Sequence, residues 1–355
     1  MAVKQKQQEN KPAGLWSRLA IPVLLFFILA LLAGGALFLI NRDRPGQIYS
    51  YRHMALDTVL ELRLEADSKR EAEAVKDQVF AEIERLEASL SRSFGGSDIS
   101  RVNAAAGKEA VTVSPETISV TSAALEYAAL SEGAFDPTIA PLLDRWGFLD
   151  RRYRVPGPEE IEADLPLVNY RLLELNREQQ TIFLPQAGMS LDLGGIAKGF
   201  IIDRGLAILS QAGIKHAFLN AGGDIGLLGT RPDGEPWRIG VLHPREENSF
   251  MAVVPVSGGA VVTSGDYERT FEVEGVQYHH ILDPATGKPA TQLVSVTIVA
   301  STATEADALS TAVFVLGPSR GMALVEQLPG VEAILVTPEM EILVSSGLKD
   351  IIELP

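Results

Sequence analysis

The sequence contains no cysteine, and it is short of positive charge. The first absence excludes thiol nucleophiles, disulfide bonds, cysteine-bound zinc, iron–sulfur clusters and a lipid anchor on cysteine. It also suits an oxidising compartment. The second absence appears in the count of 31 lysines and arginines against 46 aspartates and glutamates, a net charge of −15. Because such a chain has no excess of basic side chains to neutralise phosphates, nucleic acid is excluded as a partner.

The two most familiar glycine-rich phosphate motifs are also missing, G-x-x-x-x-G-K-[ST] and G-x-G-x-x-G. The chain has instead Ser190–Phe200 (SLDLGGIAKGF), which reads as a strand end, a glycine turn and a helix that continues to about Gln211. The backbone N–H groups at the start of such a helix can bind phosphate. Asp192 and Lys198 flank the turn, although two glycines between a strand and a helix can also serve close packing alone.

One long apolar run lies near the N-terminus. Residues 19–41 carry no charge and have about the ~20-residue length of a membrane-spanning helix, and the basic tail 1–18 precedes them. The charge bias predicts a cytoplasmic tail, a single-pass anchor in the inner (plasma) membrane and an extracytoplasmic remainder. A cleavable signal peptide is the alternative, with a small-residue site near Ala33–Ala36.

We predict a linker at 42–50 and one α+β domain at 51–355. Alternation of apolar and polar residues predicts a strand over Thr58–Leu64. Apolar residues on one face predict a helix from Asp67 to about Leu90. Ser91–Asn103 is predicted as a polar loop that contains Phe94, and Gly133–Leu142 as a surface loop shaped by its prolines. Near the C-terminus, two consecutive helices are predicted, at 304–316 and 319–327.

A pair of histidines and one polar helix could carry chemistry. His279 and His280 point to opposite faces of a strand, so at most one of them faces a given site. Each could equally be a hydrogen-bonded structural histidine. Asp307 and Thr311 share a helix face and offer the hard oxygen ligands that Mg²⁺ prefers. The alternative is a threonine bonded to its own helix and an aspartate that favours the helix N-terminus.

Taken together, these stretches resemble the FAD:protein FMN transferase family (ApbE family). The resemblance rests on four runs in order: D-L-G-G-I-A-K-G-F from Asp192, N-A-G-G-D from Asn220, H-I-x-D-P-x-T-G-x-P from His280 and A-D-A-L-S-T-A from Ala306. It covers the chain from about Leu56 to the C-terminus. It implies the family's mixed α/β catalytic domain, with FAD bound in a cleft.

The resemblance also implies roles for single residues. The FAD contacts it implies are Phe94, Ala134, Phe135, Asp136, Asp192, Lys198 and Ile281. The metal ligands it implies are the Gly195 carbonyl oxygen with the side chains of Asp307 and Thr311. For the base that deprotonates the acceptor we predict His280, because an unperturbed imidazole titrates near pH ~6.5, with Asp283 as its rival.

The implied reaction is Mg²⁺-dependent transfer of FMN from FAD to a threonine (or serine) hydroxyl, with AMP as the leaving group. The implied partner is an acceptor redox protein or membrane subunit that carries a threonine-containing target motif. Two alternatives remain open. One is a Mg²⁺-dependent FAD pyrophosphatase that uses water as acceptor, and the other is a non-catalytic extracytoplasmic flavin-binding protein.

Overall fold

The computed structural model describes residues 46–353. The basic tail and membrane anchor predicted for 1–41 lie outside the described residues. Within that part of the chain, a single helix, Ala303–Val325, is long and apolar enough to cross a membrane. Half of its apolar window is buried inside the domain, as expected for a core helix of a globular domain.

The domain contains seventeen strands and seven α-helices in its described part. The strands are, in chain order, β1 (Gln47–Ala55), β2 (Thr58–Ala66), β3 (Val111–Thr112), β4 (Glu174–Asn176), β5 (Thr181–Phe183), β6 (Ala217–Ala221), β7 (Asp224–Leu228), β8 (Trp237–Leu242), β9 (Phe250–Val256), β10 (Gly259–Gly265), β11 (Thr270–Val273), β12 (Val276–His279), β13 (Leu282–Asp283), β14 (Lys288–Pro289), β15 (Ser295–Ala300), β16 (Glu332–Val336) and β17 (Ile342–Val344). The helices are α1 (Lys69–Leu90), α2 (Asp98–Ala104), α3 (Pro115–Leu130), α4 (Ala140–Arg145), α5 (Pro158–Asp164), α6 (Ala197–Gln211) and α7 (Ala303–Val325). Two 3₁₀ turns lie at Leu165–Leu167 and Tyr170–Leu172.

An eight-stranded antiparallel sheet in the order β1-β2-β6-β7-β10-β15-β16-β17 forms the centre. Successive side chains on a strand alternate between its faces. Val262 accordingly packs into the larger core, beneath helices α1, α6 and α7. Its neighbour Val261 packs on the other face, in a second core that the β8–β9 hairpin covers. The mixed α+β architecture is thus confirmed.

Local sequence signals explain the long helices. Ser68 caps α1 by accepting a hydrogen bond from the Glu71 N–H at 3.2 Å, and Ser114 caps α3 in the same way. In α7, Gly317 has a φ of +76° and precedes Pro318, so the helix is broken there. Glycine adopts that conformation without the steric cost of a β-carbon, and proline cannot continue the hydrogen-bond ladder. The break confirms the prediction of two consecutive helices in this region.

Two loop predictions were partly wrong, and the predicted linker overlaps a strand. The segment Ser91–Asn103 contains most of α2, because Ser97 caps it and its Ile99 and Val102 share a buried face. The segment Gly133–Leu142 leads into α4, since Pro141 occupies the first helical turn, where its missing N–H is not needed. Strand β1 begins at Gln47, inside the linker predicted for 42–50.

Candidate active site

The glycine turn at 192–196 is held from two sides before α6 begins. The Asp192 N–H donates to the Pro137 carbonyl at 2.8 Å, and the Gly194 N–H donates to Asp192 Oδ1 at 2.6 Å. Upstream, the Asn103 side chain exchanges two hydrogen bonds with the backbone of Leu191, at 2.7 and 2.9 Å. The turn is therefore fixed relative to α2 and to the loop that precedes α4.

Helices α6 and α7 pack closely where they begin. A β-carbon on Gly199 would lie 2.1 Å from the Ala303 carbonyl oxygen, so only glycine permits this approach. The Gly199 N–H donates to Asp307 Oδ2 at 2.9 Å. Asp203 of α6 accepts hydrogen bonds from the N–H groups of Ala303 and Thr304, each at 2.8 Å. One helix thereby caps the other and sets the position of Asp307.

The three residues predicted to bind metal lie next to one another. A β-carbon on Gly195 would come within 3.2 Å of Thr311 Oγ1, and Asp307 lies one helical turn before Thr311. The described residues contain no group of three or more His, Cys, Asp or Glu side chains suited to a metal ion. A site made of one carboxylate, one hydroxyl and one backbone carbonyl agrees with that finding, because only one of its ligands belongs to those four types.

A cleft with a cavity volume of about 170 Å³ opens beside these residues. Ten of the residues predicted from the sequence line it: Ala134, Phe135, Asp136, Asp192, Gly195, Lys198, His280, Ile281, Asp307 and Thr311. A larger groove of about 460 Å³ has Pro141 and Asp144 in its wall. That groove contains none of the predicted site residues.

Lys198 forms a tight ion pair at the base of the cleft. Its Nζ lies 2.5 Å from Oδ2 of Asp224, which is buried at the start of β7. Burial opposes the charge on Lys198, but the carboxylates of Asp224 and Asp307 outweigh it and hold the pKa of this lysine above its usual value. Burial, together with the neighbouring Asp224, raises the pKa of Asp307 to about 7. The lysine therefore stays protonated, and it lies beside carboxylates whose charged form is disfavoured by burial.

The structure separates the roles of the two histidines. His279 is buried, its Nε2 lies 2.9 Å from the Ala290 carbonyl oxygen, and its Nδ1 accepts a hydrogen bond from the Ile281 N–H. Both of its ring nitrogens are thus used within the fold. His280 lines the cleft, and its buried Nδ1 has no hydrogen-bond partner among the described residues. Burial, with the positive charge of Arg269, lowers the pKa of His280 to about 3, so its imidazole is neutral.

Two predicted residues do not line the cleft. The Asp283 carboxylate accepts hydrogen bonds from the Ala285 N–H at 2.9 Å and from the Thr286 hydroxyl at 3.1 Å, so it stabilises its own turn. The Phe94 ring lies outside the cleft wall with 46% of the residue exposed. The geometry therefore favours His280 over Asp283 as the base, and a contact from Phe94 to FAD stays a prediction.

Asp136 lines the cleft but is largely occupied by its own loop. Its Oδ1 accepts from the N–H and the hydroxyl of Thr138, at 2.8 and 2.6 Å, and its Oδ2 accepts from the Tyr170 N–H at 3.0 Å. The carboxylate therefore shapes the wall that carries Ala134 and Phe135. A ligand at this wall would meet a rigid loop.

Four charged residues around the cleft were not predicted from the sequence. Arg92 bridges Asp144 and Asp192 at 2.8 and 2.6 Å, which fixes the turn aspartate to α4. The other three, all in the cleft wall, are Asp224, Glu268 and Arg269. A signal existed for Asp224, the last residue of the N-A-G-G-D run. Nothing local marks Glu268 and Arg269, which lie in a bend between β10 and β11.

Comparisons with known proteins show what the chain is similar to. A family model described as "ApbE family" matches residues 56–335. The chain is 36% identical to a FAD:protein FMN transferase of Treponema pallidum (strain Nichols) over 320 residues, which are 85% of this chain and 88% of that protein. It is 34% identical to one of Klebsiella pneumoniae (strain 342) over 302 residues, 84% of this chain and 92% of that protein.

Two solved structures have the same fold. The ApbE protein of Thermotoga maritima matches with a TM-score of 0.81 and 37% identity, over 86% of this chain and 99% of that one. The flavin transferase ApbE of Vibrio cholerae matches with a TM-score of 0.78 and 28% identity, over 86% of this chain and 100% of that one.

Proposed function

Because the chain belongs to the ApbE family, we propose that it transfers FMN from FAD to a threonine (or serine) hydroxyl of an acceptor protein and releases AMP. The observation that carries the proposal is the contact between Gly195 and Thr311 beside Asp307, at a cleft that also holds Lys198. The names of the relatives supply the reaction class. The threonine acceptor and the metal come from the resemblance in the four sequence runs.

At the phosphorus atom, the proposed reaction forms one bond and breaks one bond. The acceptor oxygen forms a bond to the phosphorus atom on the FMN side of the FAD diphosphate. The bond from that phosphorus to the bridging oxygen breaks, and its electron pair leaves with AMP. The hydroxyl proton goes to a base, for which we propose His280, because it lines the cleft and its Nδ1 has no partner among the described residues.

The chain supplies two sources of positive potential for the diphosphate. Helix α6 begins at Ala197, directly after the glycine turn that lines the cleft, so the positive end of its dipole lies there. Lys198 lines the same cleft and stays charged because of its carboxylate neighbours, which raise its pKa. Donors that are fixed before the reaction stabilise developing negative charge without having to reorganise.

The same residues fit a magnesium ion. Asp307 Oδ1, Thr311 Oγ1 and the Gly195 carbonyl would hold it, because hard oxygen donors with room for phosphate oxygens are what Mg²⁺ requires. When bound, the ion would neutralise the diphosphate and activate it toward attack. The cleft favours such a cation, because carboxylates outnumber the basic side chains in its wall.

The substrate extends beyond the described cleft. The volume of the cleft, about 170 Å³, is below the ~300–1,000 Å³ usual for small-molecule sites. The cleft therefore suits the diphosphate and its nearest groups, and the remaining parts of FAD would lie across its mouth. The exposed ring of Phe94 is available to cover one of them.

We also propose that residues 19–41 anchor the enzyme in the plasma membrane and place residues 51–355 outside the cytoplasm. The support is the length of the apolar run and the basic residues before it. The acceptor would then be an extracytoplasmic redox protein or a membrane subunit. Protease treatment of intact spheroplasts tests this, because a cytoplasmic domain would stay protected.

The activity test uses the purified full chain with FAD, Mg²⁺ and a candidate redox subunit from the same organism. We expect the subunit to gain the mass of FMN and AMP to accumulate in equal amount. A parallel reaction without any acceptor protein measures FMN and AMP release to water. Fast release there with no labelled subunit would contradict the transferase and establish a pyrophosphatase.

A further inference from the structure

The cations in the cleft differ in how they are neutralised. Five carboxylates of the described residues line its wall: Asp136, Asp192, Asp224, Glu268 and Asp307. The basic side chains in the same wall are Lys198 and Arg269. Lys198 is matched by Asp224 at 2.5 Å, whereas Arg269 forms no ion pair with any residue in the range 46–353. Within that range, Arg269 is thus the cleft cation whose charge is still available to a ligand.

The guanidinium of Arg269 is accessible yet oriented. The residue is exposed in the bend between β10 and β11, and its Nη2 donates to the Phe148 carbonyl oxygen at 2.7 Å. A guanidinium has five N–H donors in a fixed planar arrangement. The contact with Phe148 uses one donor and restricts the plane, and it leaves the other donors without a protein acceptor in the part of the chain that the structure describes.

The same two residues also lie against His280. The His280 backbone N–H donates to the Arg269 carbonyl at 3.2 Å, and the Phe148 ring lies edge-on to the His280 ring at 6.3 Å. Arg269, Phe148 and His280 therefore form one connected unit in the cleft wall. The unit presents a fixed cation next to a neutral base.

We propose that Arg269 is a catalytic residue that binds the non-bridging oxygens of the phosphoryl group passing from FAD to the acceptor. The proposal rests on the proposed function and names a further residue for that site. A guanidinium matches two phosphate oxygens at once, which a lysine does not. Arg269 takes no proton and forms no covalent bond. It stabilises the charge that spreads over these oxygens while the acceptor bond forms and the AMP oxygen leaves.

The test compares Arg269→Gln and Arg269→Lys with Arg238→Gln in the full-length protein. Arg238 is the matched control, because it is an exposed arginine on β8, on the other face of the sheet, and is paired with Glu353. We measure three quantities: the FAD Kd from flavin fluorescence, the single-turnover rate at saturating FAD, and the Tm.

For Arg269→Gln we expect a rate loss of about 10²-fold to 10³-fold, as for the loss of one fixed donor to a transition state. The FAD Kd should rise by no more than about tenfold, and the Tm should stay within a few degrees of wild type. Arg269→Lys should recover part of the rate, and Arg238→Gln should match wild type in all three. Wild-type rate and Kd in Arg269→Gln would overturn the proposal, as would a rate loss that only follows a fall in Tm.

The two proposals fail separately. If the wild type labels an acceptor and Arg269→Gln labels it equally fast, the role of Arg269 is wrong and the transferase stands. If the wild type only hydrolyses FAD, the transferase is wrong. Slower hydrolysis by Arg269→Gln would in that case still support the phosphoryl contact, and equal hydrolysis would overturn it.

Discussion

Gly195 and Thr311 touch: a β-carbon on the glycine would lie 3.2 Å from the threonine hydroxyl oxygen, and 3.1 Å from the Phe135 ring. These two residues are far apart in the sequence and come from a turn and a helix. Their contact brings the turn, helix α7 and the aromatic wall of the cleft to one point. The proposed cation site depends on this contact.

Gly195→Ala tests the contact directly. The added methyl group must push on Thr311 or on Phe135, so we expect transfer to fall by about tenfold or more and the Mg²⁺ concentration for half-maximal rate to rise. Backbone strain is not involved, because Gly195 has no positive φ. Gly95→Ala is the matched control, since no atom lies within 4 Å of the position its β-carbon would take and it also lacks a positive φ. Equal Mg²⁺ titrations for both variants would contradict the site.

Asp307→Asn should separate FAD binding from catalysis. The amide oxygen can still accept from the Gly199 N–H, so the packing of α6 against α7 survives, while the anionic ligand is lost. We expect about a 10²-fold or larger loss of rate and a loss of Mg²⁺ response, read from rate against Mg²⁺ concentration. Glu305→Gln, two residues earlier on α7 and part-exposed, serves as control. A full rate in Asp307→Asn would exclude this carboxylate as a ligand.

His280 gives a stability prediction with a defined sign. Its pKa in the folded protein is about 3, below the ~6.5 of an unperturbed imidazole. Between these pH values the imidazole is protonated in the unfolded chain but not in the folded protein. The free energy of unfolding therefore falls as the pH drops from about 6.5 toward 3. In His280→Gln the Tm should fall less between pH 7 and pH 5 than in wild type. Equal pH dependence of the two Tm values would show that the His280 imidazole is not buried in its neutral form.

Asp203→Ala should weaken the start of α7. The variant loses the hydrogen bonds to the N–H groups of Ala303 and Thr304, and the loss of a helix cap costs about 0.5–2 kcal/mol. We expect a fall of that size in the free energy of unfolding, measured with urea, and a loss of transfer because Asp307 is displaced. Asp77→Ala on the exposed surface of α1 should be neutral in both assays. Wild-type stability and a wild-type transfer rate in Asp203→Ala would contradict the positioning role of Asp203.

The sequence grouped the residues of the cleft better than it predicted the elements around them. The glycine turn, α6 and α7 carry local signals, and the family resemblance grouped Gly195, Lys198, Asp307 and Thr311 from the sequence alone. The apolar face over Asp67–Leu90 predicted helix α1 for the same reason. Local patterns were enough for the helices, whereas the resemblance was needed to group Gly195 with Asp307 and Thr311.

The failures came from long-range contacts. Helix α2 is only two turns long, and its burial against α1 outweighs the polar composition that suggested a loop. The Lys198–Asp224 pair and the Arg269–Phe148 contact join residues 26 and 121 positions apart. No local pattern encodes such pairs, because they exist only once the sheet order is set.

The crossing of α6 and α7 at Gly199 restricts how this enzyme can change. A β-carbon on Gly199 would lie 2.1 Å from the Ala303 carbonyl oxygen. One added methyl group would therefore push apart the two helices that carry Lys198 and Asp307. A substitution at Gly199 would disturb both the packing of the core and the positions of the proposed site residues. Adaptation to a new acceptor protein is therefore open at exposed positions away from this crossing, such as the β11–β12 hairpin, where side chains can vary without separating those helices.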